Sequence, residues 1–126
     1  MLHVVESRKS IPEVEALFPS VAAKHKFGVL GTHNLRQKLN EKGIPFEKDC
    51  LVFEVCQPLQ ASRVLNENMS ISTALPCRVS VYREGGKTRI ATLKPTALLE
   101  MFGTPALKQV AEEVERSIFA IMEDLR

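Results

Sequence analysis

Two cysteines beside prolines are the residues of this sequence best suited to chemistry. Cys56 is followed by Gln57-Pro58, and Cys77 follows Leu75-Pro76. A pair of thiols held at the ends of strands can bind a soft metal, form a reversible disulfide or carry a sulfane sulfur. Free cysteine is also among the most buried residue types and often behaves as a small apolar side chain. Simple packing is therefore the alternative interpretation for both residues.

Strand alternation separates the two thiols. In the strands expected around them, Cys77 points to the core and Cys56 points to the opposite face. Such thiols meet only if Pro58 or Pro76 shifts the register of its strand. Two interpretations follow: separate roles, with Cys77 mainly in packing, or one shared site.

The position of Cys56 provides the best physical argument for function. Pro58 is a favourable first residue for a helix, and the positive end of a helix lowers the pKa of a nearby thiol. We therefore expect Cys56 to have a lowered pKa. A ligand-binding or thiol-based module, either redox-active or sulfur-carrying, is the first functional hypothesis.

Two charged residues extend this candidate site. Arg78 follows Cys77, and its guanidinium suits a carboxylate, phosphate or sulfate; the alternative is a solvated residue paired with an acidic neighbour. Glu54 lies in the most apolar strand, either as a base with a raised pKa or on an exposed face. The predicted ligand-binding or redox site comprises Cys56, Gln57, Pro58, Cys77, Arg78 and Glu54. No residue is assigned as catalytic, and a small enzyme of unknown substrate stays an open alternative.

Metal and cofactor sites are not predicted. The three cysteines lack the short paired spacing of structural zinc sites, and the histidines are scattered along the chain. The sequence has neither a glycine-rich phosphate loop nor a nucleophile elbow. We expect no cofactor and no metal.

Charge and hydropathy argue against two classes of partner. The net charge is only +2, and the basic residues of the 83–89 hairpin lack interleaved aromatic side chains apart from Tyr82. We therefore expect no nucleic acid. Apolar runs are too short to span a membrane, and the N-terminus does not resemble a secretory signal, so a cytoplasmic location is expected.

The elements that must position these residues form one domain over residues 1–126. Ser10 and Glu13 have the spacing of a capping box, and Gly85-Gly86 separates two strands of a hairpin. Glycines 28 and 31 predict a bend or a close approach in their strand. Apolar spacing predicts strands at about 2–8, 27–32, 50–56, 78–84 and 87–94, and helices at about 10–26, 35–42, 58–66, 96–102 and 105–125, the last capped by Thr104. The predicted fold is α+β, a mostly antiparallel curved sheet with helices on one face.

Three segments resemble a known family. The segments are Gly28–Leu39, the Cys56-Gln57-Pro58-Leu59-Gln60-Ala61 turn, and the Leu75-Pro76-Cys77-Arg78 entry to a strand, with Lys94-Pro95 before two helices. In this order and spacing they are similar to the domain of unknown function family 302, from about residue 10 to the C-terminus. The family tends to have Asn where Gln57 and Arg78 stand, which puts any role of a small amide there in question.

The resemblance implies a fold and an assembly state but no activity. It implies a TATA-binding-protein-like β-α-β4-α fold with a short inserted helix, often dimeric, in bacteria and archaea; a fold alone does not indicate DNA binding. The second functional hypothesis is therefore a non-catalytic assembly domain. Its open sheet face, with Val52, Glu54, Ser80 and Tyr82, would pair with a second copy. The expected partners are a second copy and a small anionic or sulfur-containing ligand.

Overall fold

Apolar alternation in the strands and apolar stripes in the helices produce a layered α+β fold. A computed structural model describes all residues from 1 to 126. The strands are β1 (Leu2–Ser7), β2 (Gly28–Asn34), β3 (Cys50–Cys56), β4 (Cys77–Glu84) and β5 (Lys87–Leu93). The α-helices are α1 (Ile11–Lys24), α2 (Leu35–Glu41), α3 (Pro58–Glu67), α4 (Pro95–Glu100) and α5 (Lys108–Asp124). Two 3₁₀ helices span Met69–Ala74 and Pro105–Leu107.

All five strands form one antiparallel sheet in the order β1-β5-β4-β3-β2. The β4–β5 hairpin turns at Gly85 and Gly86, whose φ angles of 61° and 76° favour glycine. A register shift between Val29 and Gly31 bends β2, as its glycines predicted. The sheet is open, because β1 and β2 each have only one neighbouring strand.

One face of the sheet carries the main core. The helices α1 and α5 pack there through fully buried side chains such as Phe18 and Ile118. Phe18 stacks on Phe53 of β3 with ring centroids 3.9 Å apart. The capping box of α1 is present as predicted, since Ser10 and Glu13 each bond the other's backbone N–H. The α+β prediction is confirmed.

A second, smaller core lies beyond the end of the sheet. Its buried members come from α3, the two 3₁₀ helices and α5: Val64, Ile71, Leu107 and Val110. The 3₁₀ helix Met69–Ala74 was not predicted. The predicted Thr104 cap is wrong, because Thr104 makes no capping hydrogen bond and Pro105 begins a 3₁₀ turn before α5. None of the helices combines the length and hydropathy that crossing a membrane requires.

Candidate functional site

An apolar cavity of about 290 Å³ separates the end of the sheet from the helices that cover it. It lies where β2 and β4 begin and β3 ends, with α3 and α4 around it. Thirteen of its 17 lining residues are hydrophobic. The lining residues are Phe27, Leu30, Val55, Cys56, Gln57, Gln60, Ala61, Val64, Leu65, Ala74, Leu75, Pro76, Cys77, Pro95, Leu98, Leu99 and Val114.

Both candidate cysteines line this cavity, although strand alternation had separated them. The β3–β4 register is regular, with Val55 opposite Cys77, so neither proline shifts it. Cys56 is the last residue of β3, where the chain leaves the sheet and turns into α3. The alternating burial of β3 continues to Cys56, as expected from strand alternation. Both thiols nevertheless line one cavity, because it lies at the end of the strand.

Burial keeps both thiols protonated at neutral pH. It raises the pKa of Cys56, and it raises the pKa of Cys77 to about 11, with a further contribution from Cys56. The lowered pKa expected for Cys56 from the helix beginning at Pro58 is therefore wrong. Removal from water is the cause of this rise, because it disfavours the charged thiolate. Both cysteines are free.

Two glutamines provide the cavity's polar side chains, and both are largely occupied within the protein. The Gln60 backbone N–H donates to Oε1 of Gln57 at 2.7 Å, which caps α3. Gln60 Nε2 donates to Glu113 at 2.9 Å, and Gln60 Oε1 accepts from Arg63 at 3.3 Å. Of these side-chain groups, only the Nε2 group of Gln57 has no partner within the protein, while Gln60 Nε2 keeps one of its two N–H donors free.

Arg78 and Glu54 lie outside the cavity. They are cross-strand partners on the face of the sheet opposite the main core, where Arg78 is exposed. Arg78 is not among the lining residues, so it does not clamp a ligand beside the thiols in the way the sequence suggested. The predicted site therefore divides: Cys56, Gln57 and Cys77 line the cavity, whereas Glu54 and Arg78 belong to the open sheet face.

Glu54 belongs to a cluster that the sequence did not indicate. His33 Nε2 lies 2.5 Å from Oε1 of Glu54, and the Lys38 ammonium contacts Nδ1 of the same imidazole. Because an ammonium can only donate, Nδ1 accepts and the Nε2–H group is left to donate to the carboxylate. This hydrogen bond, with the nearby charges of Arg78 and Lys38, lowers the pKa of Glu54. The raised pKa considered for a general base is wrong.

Several lining residues escaped the sequence analysis. Leu98 and Leu99 of α4 are distant in sequence from both cysteines, and only the tertiary packing of α4 brings them to the cavity. Leu30 is pushed outward at the β2 bulge and is 66% exposed. The glycines flanking this segment had indicated the bend, but not the residue that the bend presents.

The histidines do not converge on a metal site. His3 stacks on Phe119, and His25 Nε2 lies 2.7 Å from Oδ2 of Asp124. No group of three or more His, Cys, Asp or Glu side chains is placed to hold a metal ion.

These features define an open-sheet α+β domain with an apolar cavity at one end of the sheet. The family model described as Domain of unknown function DUF302 matches residues 3–125. The structure is similar to the crystal structure of an uncharacterized conserved protein DUF302 from Bacillus stearothermophilus. The TM-score is 0.94 at 36% identity, covering 99% of this chain and 98% of that one. No curated protein matches.

The chain therefore belongs to the domain of unknown function family 302. The resemblance drawn from its Cys-Gln-Pro turn and Leu-Pro-Cys strand entry is confirmed.

Proposed function

We propose that this protein is a small-molecule-binding domain whose ligand occupies the cavity lined by Cys56 and Cys77. The cavity itself is the observation that supports this proposal. The cavity is partly open to solvent, and apolar surface in contact with water is unfavourable until a ligand covers it. A cavity of about 290 Å³ with an almost wholly apolar lining has the character of a small-molecule site.

The raised thiol pKa values favour binding over thiol chemistry. The thiolate is the form that attacks disulfides and binds metals. With the pKa of Cys77 at about 11, its thiolate is scarce at neutral pH. We therefore assign the two cysteines to the cavity wall and not to a redox or sulfur-transfer reaction.

Native mass spectrometry and thermal denaturation test this proposal. Purification without reductant should yield protein that retains a non-covalent small molecule. A panel of small apolar compounds should raise Tm, because a ligand that binds only the folded state stabilises it. A panel that leaves Tm unchanged, with no retained molecule, would contradict the proposal.

Variants that fill the cavity sharpen this experiment. Ala61→Phe adds a ring from α3, and Ala74→Leu is a milder substitution if the first variant does not fold. Either folded variant should lose ligand stabilisation. Ala97→Phe is the matched control, since Ala97 is a half-buried residue of α4 that does not line the cavity. Equal ligand stabilisation in all variants would place binding elsewhere.

We propose, as a second function, homodimer assembly through the open sheet face. An exposed apolar strip supports it: Leu2 is 57% exposed, its cross-strand partner Leu93 is 46% exposed, and Val4 is 38% exposed. A sheet of five strands, about 4.8 Å apart and about 20 Å long, has one face of roughly 500 Å². Two such faces in contact therefore bury roughly 1,000 Å². This area is near the lower limit for a specific interface.

Sedimentation velocity at micromolar concentration tests assembly. The wild-type chain should sediment as a dimer, and Val52→Arg should give a monomer by placing a charge in the open sheet face, on β3 beside the central strand β4. Leu17→Arg, at an exposed position of α1, is the control and should remain dimeric. Weak interfaces associate at protein concentrations of about 50 to 100 micromolar. If the wild-type protein is still a monomer at that concentration, a stable dimer is excluded.

A further inference from the structure

We infer that the cavity accepts an uncharged ligand with an alkyl body of medium length and a single hydrogen-bond acceptor placed near Gln57. This inference rests on the proposed binding function and names the class of ligand. Three properties of the lining support it: its charge, its free hydrogen-bonding groups and the shapes of its side chains.

The first property is the absence of charge. None of the 17 lining residues is Asp, Glu, Lys, Arg or His, and the two thiols are protonated at neutral pH. Burying an ion without a partner of opposite charge is costly. Arg78, the cation expected to bind an anion, projects from the other face of the sheet. The small anionic ligand expected from the sequence therefore does not suit this cavity.

The second property is the small number of free polar groups. Gln60 already bonds Glu113 and Arg63, and Gln57 uses its oxygen to cap α3. The Nε2 group of Gln57 is the only one of these groups without a partner, Gln60 Nε2 keeps one N–H, and thiols donate only weakly. A ligand with several polar groups would leave most of them unpaired, which costs free energy for each group. One acceptor, such as a hydroxyl, ether or carbonyl oxygen, matches this lining.

The third property is the aliphatic character of the wall. Leucine, valine, alanine and proline dominate it, and Phe27 is the only aromatic lining residue. Flat aromatic ligands gain most from stacking on other rings, which this wall scarcely offers. The volume of about 290 Å³ is roughly twice that of an engineered cavity that holds benzene. This space suits an alkyl chain better than a single ring.

Isothermal titration of the wild-type protein with four probes tests the ligand class. The probes are 1-octanol, octanoate, octyltrimethylammonium and naphthalene, at pH 8, where octanoate is fully ionised. We expect 1-octanol to bind at least tenfold more tightly than each of the other three. Ala61→Phe should abolish octanol binding and Ala97→Phe should not.

The position of the polar group is tested by Gln57→Glu. This substitution keeps an oxygen that caps α3 but removes the Nε2 donor, so the helix is retained. It should weaken 1-octanol binding about tenfold relative to octane, which has no acceptor. An equal loss for both probes would overturn the assigned contact with Gln57.

The outcomes separate the ligand class from the proposed function. Tighter binding of octanoate or naphthalene, abolished by Ala61→Phe, would overturn the neutral alkyl ligand while keeping the cavity as a binding site. If no probe binds the wild-type protein, and titration of Ala61→Phe gives the same result, both the ligand class and the proposed function are overturned. If a probe binds the monomer but not the dimer, a second copy covers the cavity. That result would also overturn the inference.

Discussion

Two histidine–carboxylate pairs on this protein provide controls for each other. His33 bonds Glu54 at 2.5 Å and His25 bonds Asp124 at 2.7 Å, and in each pair the hydrogen bond is the largest cause of a lowered carboxyl pKa. We predict that His33→Ala raises the pKa of Glu54 and leaves that of Asp124 unchanged. His25→Ala should have the converse effect. Carboxyl carbon shifts followed by NMR from pH 2 to 7 measure both.

Removing His33 leaves opposing influences on Glu54. Arg78 and Lys38 still favour its charged form, whereas burial disfavours it. The pKa of Glu54 should therefore rise towards its usual value of 4.5. If Glu54 titrates identically in the wild-type and His33→Ala proteins, the hydrogen bond is not what stabilises the carboxylate.

The cavity thiols should react slowly with alkylating reagents. At pH 8, a thiol with a pKa near 11 has about one-hundredth of the thiolate of a thiol with a pKa of 9.0, so Cys77 should react about 100-fold more slowly than a model thiol. Cys56 should react at an intermediate rate, because it is less buried. Peptide mass spectrometry after iodoacetamide treatment resolves the two residues. Faster alkylation of Cys56 than of the model thiol would restore the reactive-thiolate hypothesis.

At the scale of the elements, the capping box determines where α1 begins. Ser10 Oγ accepts the backbone N–H of Glu13 at 3.2 Å, and the Glu13 carboxylate accepts the N–H of Ser10 at 3.1 Å. Ser10→Ala should lower the free energy of unfolding by about 1 kcal/mol, measured by urea denaturation. Ser20→Ala lies inside the same helix and is exposed, so it should change stability by less than about 0.5 kcal/mol. Equal effects of the two substitutions would assign no special role to the cap.

Local patterns explain why the elements themselves could be predicted. Alternation over Cys50–Cys56 buries Leu51, Phe53 and Val55, and the hairpin glycines adopt the positive φ angles that their turn requires. Helix starts without such local chemistry were harder to predict. Thr104 has a good N-cap residue type, but the chain there forms a 3₁₀ turn and the side chain does not cap it.

The candidate site was only partly predictable, because its walls come from distant segments. Alternation correctly assigned Cys77 to the core side of its strand. It could not show that Cys56 lines the same cavity, since strand alternation does not describe what surrounds the end of a strand. The lining from α4 and the cluster of His33 with Glu54 depend on how helices and strands pack together, and no periodic pattern records that packing.

At the scale of the whole molecule, the titration of ionisable groups lowers the free energy of unfolding at both acid and alkaline pH. Glu6, Glu13, Glu54 and Asp124 all have lowered carboxyl pKa values in the folded protein. Their contribution is fully present above the usual carboxyl pKa values, near 4 to 4.5, and is lost as pH falls through the folded values. The raised pKa of Cys77 acts in the opposite direction: its contribution is present below pH 9.0 and is lost as pH rises towards 11.

We therefore predict a plateau of stability from about pH 5 to pH 8.5, with a decline on each side. Moving the Cys77 pKa from 9.0 to about 11 corresponds to roughly 2 to 3 kcal/mol, so the alkaline decline should be measurable by urea denaturation. Cys77→Ala should weaken the alkaline decline and leave the acid decline unchanged, whereas the double variant His25→Ala/His33→Ala should weaken only the acid decline. An alkaline decline of equal size in Cys77→Ala would mean that the buried thiol, although it lines the cavity, does not control stability at high pH.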